Sequence, residues 1–190
     1  MTKYILVFLP LLLSGCVFSQ QTAKLSPVVS MRESALGSGV TVAVNVVDER
    51  PDQSIGKRGV GGAGADIMPA EKVEVSVANA IVEGLRKEGF KVVGKGEVAD
   101  AALNVEVRFL QYSVSMGFWS GGVNVKVALK AIASKNGKTY DRLYREDKEE
   151  RVQIAPGAET NEKWINEALS KTIQQLLDDQ ALIDTLTAKG

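Results

Sequence analysis

Residues 123–133 read VNVKVALKAIA, and this stretch decides the fold. Apolar side chains recur at every second position and alternate with Asn124, Lys126 and Lys130. A period of two is typical of a β-strand, because successive side chains of a strand point to opposite faces of the sheet. The stretch therefore predicts a sheet with one face packed on a core and the other face in water.

The neighbouring strands follow from the same pattern. Residues 101–109 alternate as well, and the apolar phase then shifts by one position, which indicates a β-bulge near Phe109–Leu110. Asn136-Gly137 predicts a type I′ hairpin turn after the strand at residues 123–133. The returning residues 139–154 are charged on both faces. We interpret them, including the charged run 145–151, as a solvated edge strand that its charges protect from further pairing.

Two amphipathic helices and two more strands complete the predicted domain. Residues 40–46 and 90–93 are rich in β-branched or aromatic residues and predict strands. One helix is predicted to begin at Pro69 and to end at Gly89. A second is predicted to begin at Thr160 or Asn161 and to continue as a bent extension. Their apolar rows are Val73, Val77, Ile81 and Leu85, and Ile165, Leu169, Ile173 and Leu176. The predicted fold class is α+β, a two-layer sandwich of a mainly antiparallel sheet of four to five strands with two helices on one face.

The amino terminus has the pattern of a secretory leader. Lys3 precedes the apolar run 5–13, which is too short to cross a bilayer as a helix, since that needs roughly 20 residues. The run ends in Leu13-Ser14-Gly15-Cys16, which resembles the lipobox of bacterial lipoproteins. The resemblance implies cleavage before Cys16, a thioether from Cys16 to diacylglycerol, and acylation of the new amino terminus. In enterobacterial lipoproteins an aspartate after the cysteine favours retention in the inner membrane, so the resemblance together with Val17 implies the outer membrane.

The predicted chain organisation has three parts. Residues 1–15 are a lipoprotein signal peptide, residues 16–39 are the lipidated cysteine and a tether, and residues 40–190 are a single α+β periplasmic domain. The tether is rich in Ser, Gln, Thr and Pro and would reach about 75 Å if fully extended. Within it, residues 25–31 are a candidate edge strand.

Composition excludes several classes of function. The chain contains no histidine, which is the commonest general base and metal ligand, and its one cysteine is Cys16. The 23 basic and 23 acidic side chains leave no basic excess for nucleic acid. We therefore predict no catalytic, cofactor-binding or metal-binding residues, and no nucleic-acid or nucleotide partner.

The glycine-rich residues 56–66 contain a G-x-G-x-x-G pattern at 59–64. Such a pattern cradles phosphate when it follows a strand directly and opens a helix. Here the glycines come about a dozen residues after the strand at 40–46, and the predicted helix begins near Pro69. We interpret residues 56–66 as a mobile surface loop.

Two sets of side chains are the candidates for activity. Asp48, Glu49 and Asp52 follow the end of a strand and are the acidic residues that a carboxylate-based hydrolase would need in a cleft. Asp48 is better explained as a turn residue paired with Arg50. Phe118-Trp119 lies in a glycine-bounded connection, and this aromatic pair either caps the core or contacts a partner.

The order of several short motifs resembles that of the YajG family of bacterial lipoproteins, whose function is not established. The shared features are Asp48-x-Arg50 after a valine-rich strand, Ile55-Gly56, Gly89-Phe90, Ala99-Asp100, Asn136-Gly137 and a terminal helix. The resemblance covers most of residues 25–187 and implies no catalytic residues. The glycine motif at 59–64 is not part of it.

These observations favour one function over two alternatives. The leading hypothesis is a non-enzymatic binding or accessory module of the cell envelope, lipid-anchored to the outer membrane through Cys16 with its domain in the periplasm. Its partner would be an envelope protein or a glycan. The alternatives are an envelope structural subunit that self-associates through an open sheet edge, and a carboxylate-based cell-wall hydrolase.

Overall fold

The computed structural model describes residues 19–60, 64–116, 121–154 and 156–189. In these residues the strands are β1 (Gln21–Ala23), β2 (Thr41–Asp48), β3 (Gly56–Val60), β4 (Asp66–Pro69), β5 (Lys91–Gly94), β6 (Ala101–Met116), β7 (Gly121–Lys135) and β8 (Lys138–Val152). The helices are α1 (Val73–Lys87), α2 (Ala158–Leu177) and α3 (Gln180–Thr187).

The sheet is organised around β6. Along one side, β6 pairs antiparallel with β7, which pairs antiparallel with β8. Along its other side, β6 pairs in parallel first with β2 and then with β3. β5 extends the sheet beyond β2, while β4 and β1 extend it beyond β3. The sheet therefore divides into two branches where β2 ends and β3 begins, and we call this division the fork.

The prediction of four to five mainly antiparallel strands is wrong, because the described sheet has eight strands of mixed direction. Periodicity reports which face of a strand is buried but carries no information on pairing direction. The direction depends on the path between strands. The connection through α1 returns the chain so that β5 pairs in parallel with β2, as a crossover allows.

Part of the larger number of strands comes from residues 56–66. The interpretation of these residues as a surface loop is wrong. Residues 56–60 form β3, and β4 begins at Asp66. Their glycines contribute no side-chain alternation from which a strand could be predicted. Residues 61–63 of the glycine motif lie outside the described residues.

The bulge and the hairpin are confirmed. The pairing of β6 with β7 shifts between Val107 and Phe109 and leaves Arg108 as the extra residue. Because the shift comes one residue earlier than predicted, Phe109 is 40% exposed while Val107 and Leu110 are buried. Lys135 pairs with Lys138, and Asn136 and the following glycine have φ of 51° and 75°, as a type I′ turn requires.

β8 is an edge strand, as predicted, since among the described residues it pairs only with β7. Part of its charged run is not simply solvated, because alternate side chains form ion pairs with α2. Lys171 lies 2.7 Å from Glu146, and Lys148 lies 3.1 Å from Glu167. The edge is therefore both charged and partly covered by a helix, two devices that discourage further strand pairing.

The helices differ from their predicted starts. Pro69 is the last residue of β4, and α1 begins at Val73. The predicted end is confirmed: Gly89 has φ of 90°, and the N–H of Phe90 donates to the carbonyl of Leu85 at 3.1 Å. This is a Schellman end.

The second helix, α2, begins at Ala158, so Asn161 is not its cap. Asn161 is instead a fully buried residue of the first turn. The bent extension is a separate helix, α3, which begins after Asp179. The Asp179 side chain caps α3 by accepting from the N–H of Ala181 at 3.0 Å.

The core lies between one face of the sheet and the three helices. Both predicted apolar rows are buried, including Leu85, Ile165 and Leu169, each with no exposed surface. The helix α1 packs against β2 and β5, and α2 packs against β7 and β8. Leu103, Val105 and Leu129 on β6 and β7 are also fully buried in this core. The predicted α+β class is confirmed, with three helices in the described residues instead of two.

The expected tether is largely held against the domain. We call residues 21–30 the arm. Its first residues form β1, which pairs in parallel with β4, so the edge strand lies earlier than the predicted residues 25–31. Leu25 and Val29 are buried in the core. The segment 16–39 is therefore not a free tether over the part that the arm covers.

The rest of the arm lies along α2 through a regular set of hydrogen bonds. The backbone N–H groups of alternate arm residues donate to side chains at every fourth position of the helix. The pairs are Lys24 to Glu162 at 2.8 Å, Ser26 to Asn166 at 2.6 Å, Val28 to Ser170 at 2.9 Å and Ser30 to Gln174 at 2.8 Å. The spacing matches, because two extended residues and four helical residues both advance about 6 Å.

Candidate functional site

A cleft lies at the fork of the sheet. Its volume is about 570 Å³, and residues 50–59 and 108–114 form its walls together with Asp66. The cleft exists because β6 changes its parallel partner from β2 to β3 here, immediately after the bulge. The motifs Asp48-x-Arg50 and Ile55-Gly56 flank this change of partner.

A bidentate ion pair closes the base of the fork. Arg50 Nε and Nη2 donate to the two Asp48 oxygens at 2.9 and 2.8 Å. The Arg50 side chain is 4% exposed and that of Asp48 is 19% exposed. Arg50 Nη1 also lies 3.4 Å from the carbonyl of Ser54 and 3.5 Å from that of Leu110. This confirms the predicted pairing of Asp48 with Arg50 and shows that the pair joins both branches of the fork.

The acidic candidates do not form a free carboxyl pair. Asp48 is bound by Arg50, and Asp52 accepts from the N–H of Ser54 at 2.9 Å in a local turn. Glu49 is exposed, and its N–H bonds to the carbonyl of Val107 at 3.1 Å. Hydrolysis by two carboxyl groups requires one acid and one base on opposite sides of a bond. The roles of Asp48 and Asp52 at the fork are explained by local structure.

Gly56 permits the closest backbone approach at the fork. Its φ is 145°, and a Cβ at this position would lie 1.9 Å from the carbonyl oxygen of Tyr112. On the residue before it, the carbonyl of Ile55 accepts from the N–H of Tyr112 at 2.6 Å, and the side chain is fully buried. Only glycine fits here, because any side chain would collide with the neighbouring strand.

A buried polar chain connects this part of the sheet to α2 and the arm. Tyr112 Oη donates to Asn161 Oδ1 at 2.7 Å, and Asn161 Nδ2 donates to Gln21 Oε1 at 3.0 Å. Gln21 Nε2 then donates to the carbonyl of Ala158 at 2.9 Å. Burial raises the pKa of Tyr112, against a smaller opposing effect of Arg58, so its hydroxyl stays a donor. This series of hydrogen bonds explains why Asn161 is buried, because the bonds satisfy polar side chains of three elements, β6, α2 and β1.

A second polar cluster fixes the junction between α2 and α3. Asp179 Oδ2 accepts from Tyr144 Oη at 2.7 Å, Tyr140 Oη at 2.9 Å and Arg142 Nη1 at 3.1 Å. Burial by itself would raise the pKa of Asp179, but the hydrogen bonds outweigh burial and hold the pKa below its usual value. The cluster ties the edge strand β8 to the helical layer.

Glu88 is a buried carboxylate with an unpartnered oxygen in the described part of the chain. It is 5% exposed, and its Oε2 has no hydrogen-bond partner among the described residues. Burial, and secondarily the negative charge of Asp178, raises the pKa of Glu88 from 4.5 to about 7. The C-terminal end of α1, where Glu88 lies, carries the negative pole of the helix and disfavours a second negative charge.

Replacing this residue, Glu88→Gln, is expected to stabilise the protein at alkaline pH. The folded state binds a proton here more tightly than the unfolded chain, so the stabilisation is complete below about pH 4.5 and is lost as pH rises through about 7. Glutamine stays neutral, and the variant should gain up to about 3 kcal/mol over the wild type near pH 8. Urea unfolding at several pH values measures this. Glu33→Gln, at an exposed arginine-flanked position, is the control and should change little. Equal pH dependence of wild type and Glu88→Gln would contradict the assignment.

The remaining predicted site residues lie outside the described part of the chain. These are Cys16 and the pair Phe118-Trp119. The strands that flank this pair are described: Met116 at the end of β6 pairs with Gly121 at the start of β7. The next element after the glycine motif is β4 and not a helix, whereas a phosphate-cradling motif opens a helix.

Sequence reasoning missed the side chains on α2 that hold the arm. Their signal was present, since Glu162, Asn166, Ser170 and Gln174 form a polar row at every fourth position beside the apolar row. Such a row resembles an ordinary solvated helix face. Its function appears only when an extended segment lies beside it.

Two further features are absent from the described residues. These residues contain no group of three or more acidic, histidine or cysteine side chains placed to hold a metal ion. None of their helices combines the length and apolar character that spanning a bilayer requires.

Comparison with known proteins identifies the family. A model of a family described as uncharacterized lipoprotein matches residues 27–187. This chain belongs to that family. The match begins within the arm and ends at the last residue of α3, so it covers nearly the whole described part of this lipoprotein. No match was found among curated proteins.

Three solved structures are similar to this lipoprotein to different degrees. The protein XCC0632 from Xanthomonas campestris has a TM-score of 0.60 at 12% identity, with 87% of this chain and 95% of that chain covered. A PelC variant from Paraburkholderia phytofirmans, solved as a dodecamer, has a TM-score of 0.41 at 12% identity and coverage of 80% and 95%. Lipoprotein GNA1162 from Neisseria meningitidis has a TM-score of 0.30 at 17% identity and coverage of 74% and 99%. The likeness to XCC0632 shows the fold alone, and the two structures with lower scores carry no argument. Nothing in the family or in these neighbours points to catalysis.

Proposed function

We propose that this lipoprotein is anchored to the outer membrane through lipid on Cys16 and acts in the periplasm as a non-enzymatic binding or accessory module. The observation that carries the proposal is the box Leu13-Ser14-Gly15-Cys16, followed directly by a domain of a lipoprotein family. Residues 1–15 are then a signal peptide, and Val17 favours the outer membrane. Within the family, the order of the motifs from Asp48-x-Arg50 to Asn136-Gly137 supports a YajG-like member.

The chemistry of the described surface supports a binding role over catalysis. The sequence lacks histidine, and Asp48 and Arg50 at the fork bind each other. The partner proposed is an envelope protein or a glycan, without a cofactor, a nucleotide or nucleic acid. The rigid fork and the polar clusters hold a surface in shape, which is what a binding module needs.

Substitution of the anchor residue, Cys16→Ser, tests the proposal. Without the thiol no thioether can form, so the chain is expected to remain unprocessed or to lose its membrane attachment. Mass spectrometry of wild-type protein from membranes should show a triacylated amino terminus at Cys16. Three acyl chains would anchor the protein stably, whereas one chain alone holds a protein on the membrane only marginally. An intact leader, or cleavage elsewhere without lipid, would overturn the proposal.

Phe118-Trp119 is the proposed contact with the partner, and Trp119→Ala tests it. If Trp119 contacts the partner, the variant should unfold like the wild type while a crosslinked species in intact cells disappears. Trp164→Ala is the control, because Trp164 is half-buried against the core and its removal should lower stability instead. A large loss of stability in Trp119→Ala with unchanged crosslinks would mean that this pair only caps the core.

A further inference from the structure

The arm determines how closely the domain is held to its anchor. From Gln21 onward the chain is fixed, first by pairing of β1 with β4 and then by the row of hydrogen bonds to α2. Only residues 17–20 remain between Cys16 and this fixed segment. Fully extended, they allow about 17 Å between the Cα atoms of Cys16 and Gln21, far less than the 75 Å expected of a free tether.

The register of the strands shows which end of the domain lies near the anchor. β1 begins with Gln21 beside Ile67, near the start of β4, and the carbonyl of Ser19 lies 3.5 Å from Arg58 Nη1. Three other chain segments reach the same end. They are the end of β3 at Val60, the junction of β6 with β7 at Met116 and Gly121, and the end of β8 at Val152. We call this the Ser19 end.

The opposite end of the sheet is far from the anchor. It carries the turn Asn136-Gly137 and the start of β6 at Ala101. Since β6 runs from Ala101 to Met116, the two ends are separated by a strand path on the order of 50 Å. Residues 17–20, which we call the short link, can place the Ser19 end near the membrane but leave the opposite end in the periplasm.

We propose that the Ser19 end of the domain rests on the lipid surface to which Cys16 is attached. This rests on the proposed lipidation of Cys16. The occupant of this surface is the bilayer itself, because the chain leaves the domain here and has only residues 17–20 to reach the lipid. An apolar side chain is available for the contact: Ile154, which follows β8, is 80% exposed. Apolar side chains that lie at a membrane interface gain by leaving water.

The exposed side chain of Val98 provides a matched comparison at the opposite end. It precedes the start of β6 and is 96% exposed. Both residues are aliphatic and free of packing, so their environments should differ only through distance from the membrane. Cys16 is the only cysteine of the chain and its thiol is consumed by lipid, so an introduced cysteine can be labelled selectively.

The test uses the full lipidated chain in vesicles of phosphatidylethanolamine and phosphatidylglycerol. Ile154→Cys and Val98→Cys are labelled separately with a nitroxide, and collisions with a water-soluble nickel chelate are measured by spin resonance. The label at position 154 should lose access to the chelate and gain access to oxygen from the bilayer, whereas the label at position 98 should behave as in water. Equal chelate access at both positions would overturn the contact.

Flotation separates this outcome from failure of the anchor. If the protein does not float with the vesicles, the lipidation of Cys16 is wrong. If it floats and both labels remain in water, only the contact of the Ser19 end is wrong. A flexible insertion of about ten residues before Ser19 adds roughly 35 Å of reach and should return the label at 154 to water. Unchanged protection after this insertion would overturn the short link as the cause.

Discussion

Gly56→Ala is expected to lower the free energy of unfolding by roughly 3–5 kcal/mol. Two costs combine at this residue. Its φ of 145° lies where alanine is strained, and the added Cβ would lie 1.9 Å from the carbonyl oxygen of Tyr112. Since that oxygen belongs to the central strand β6, the collision can be relieved only by moving β3 and opening the fork.

Gly96→Ala is the matched control for this prediction. Gly96 has φ of 89°, and a Cβ there would meet nothing within 4 Å. It should therefore cost only about 1 kcal/mol, the strain of the backbone alone. Urea unfolding of the chain from Ser19 onward measures both variants. Similar losses in the two variants would show that the close approach to Tyr112 is not significant.

Arg50→Ala is expected to cost about 3–5 kcal/mol, because it leaves the carboxylate of Asp48 half-buried without its partner. The guanidinium also lies near carbonyls on both sides of the fork, so its loss removes the connection between the two branches. Lys130→Ala is the control, because the ion pair of Lys130 with Asp141 is exposed and spans 3.6 Å. Its removal should cost less than about 1 kcal/mol.

A double substitution separates the ion pair from the space that it fills. Asp48→Asn combined with Arg50→Met removes both charges while it keeps most of the volume. Replacing both partners of a buried pair is much less costly than removing one. The double variant should therefore be more stable than Arg50→Ala, as measured by urea unfolding. A cost for Arg50→Ala no larger than that for Lys130→Ala would contradict the role of the pair.

The features that were predicted correctly depend on residues close together in the chain. The alternation at 123–133 placed β7, and the phase shift near Phe109 revealed the bulge. Asn136-Gly137 marked a turn, and Gly89 marked a helix end. Each follows from the period of side chains or from a backbone angle that few residues adopt. Cys16 belongs to the same class of local signal and remains a prediction.

Other features required the tertiary structure because they depend on backbone groups that every residue shares. One example is the parallel pairing of β6 with β2 and β3, which follows from the path of the chain. Another is the strand β3, which the glycine-rich residues 56–60 form. The start of α1 moved to Val73 because Pro69 lies in β4.

The arm shows most clearly the difference between features that the sequence predicts and features that require the tertiary structure. By itself the sequence determined that a sheet with one apolar face packs against amphipathic helices, since side-chain patterns carry that information, whereas the leader 1–15 and the lipid on Cys16 remain predictions. Only the tertiary structure decided that residues 21–30 lie against the domain, because their backbone N–H groups find acceptors at Glu162, Asn166, Ser170 and Gln174 some 140 residues away. A backbone N–H group carries no side-chain information, so the sequence does not identify its acceptor. The acceptor depends on which groups the tertiary structure brings beside it.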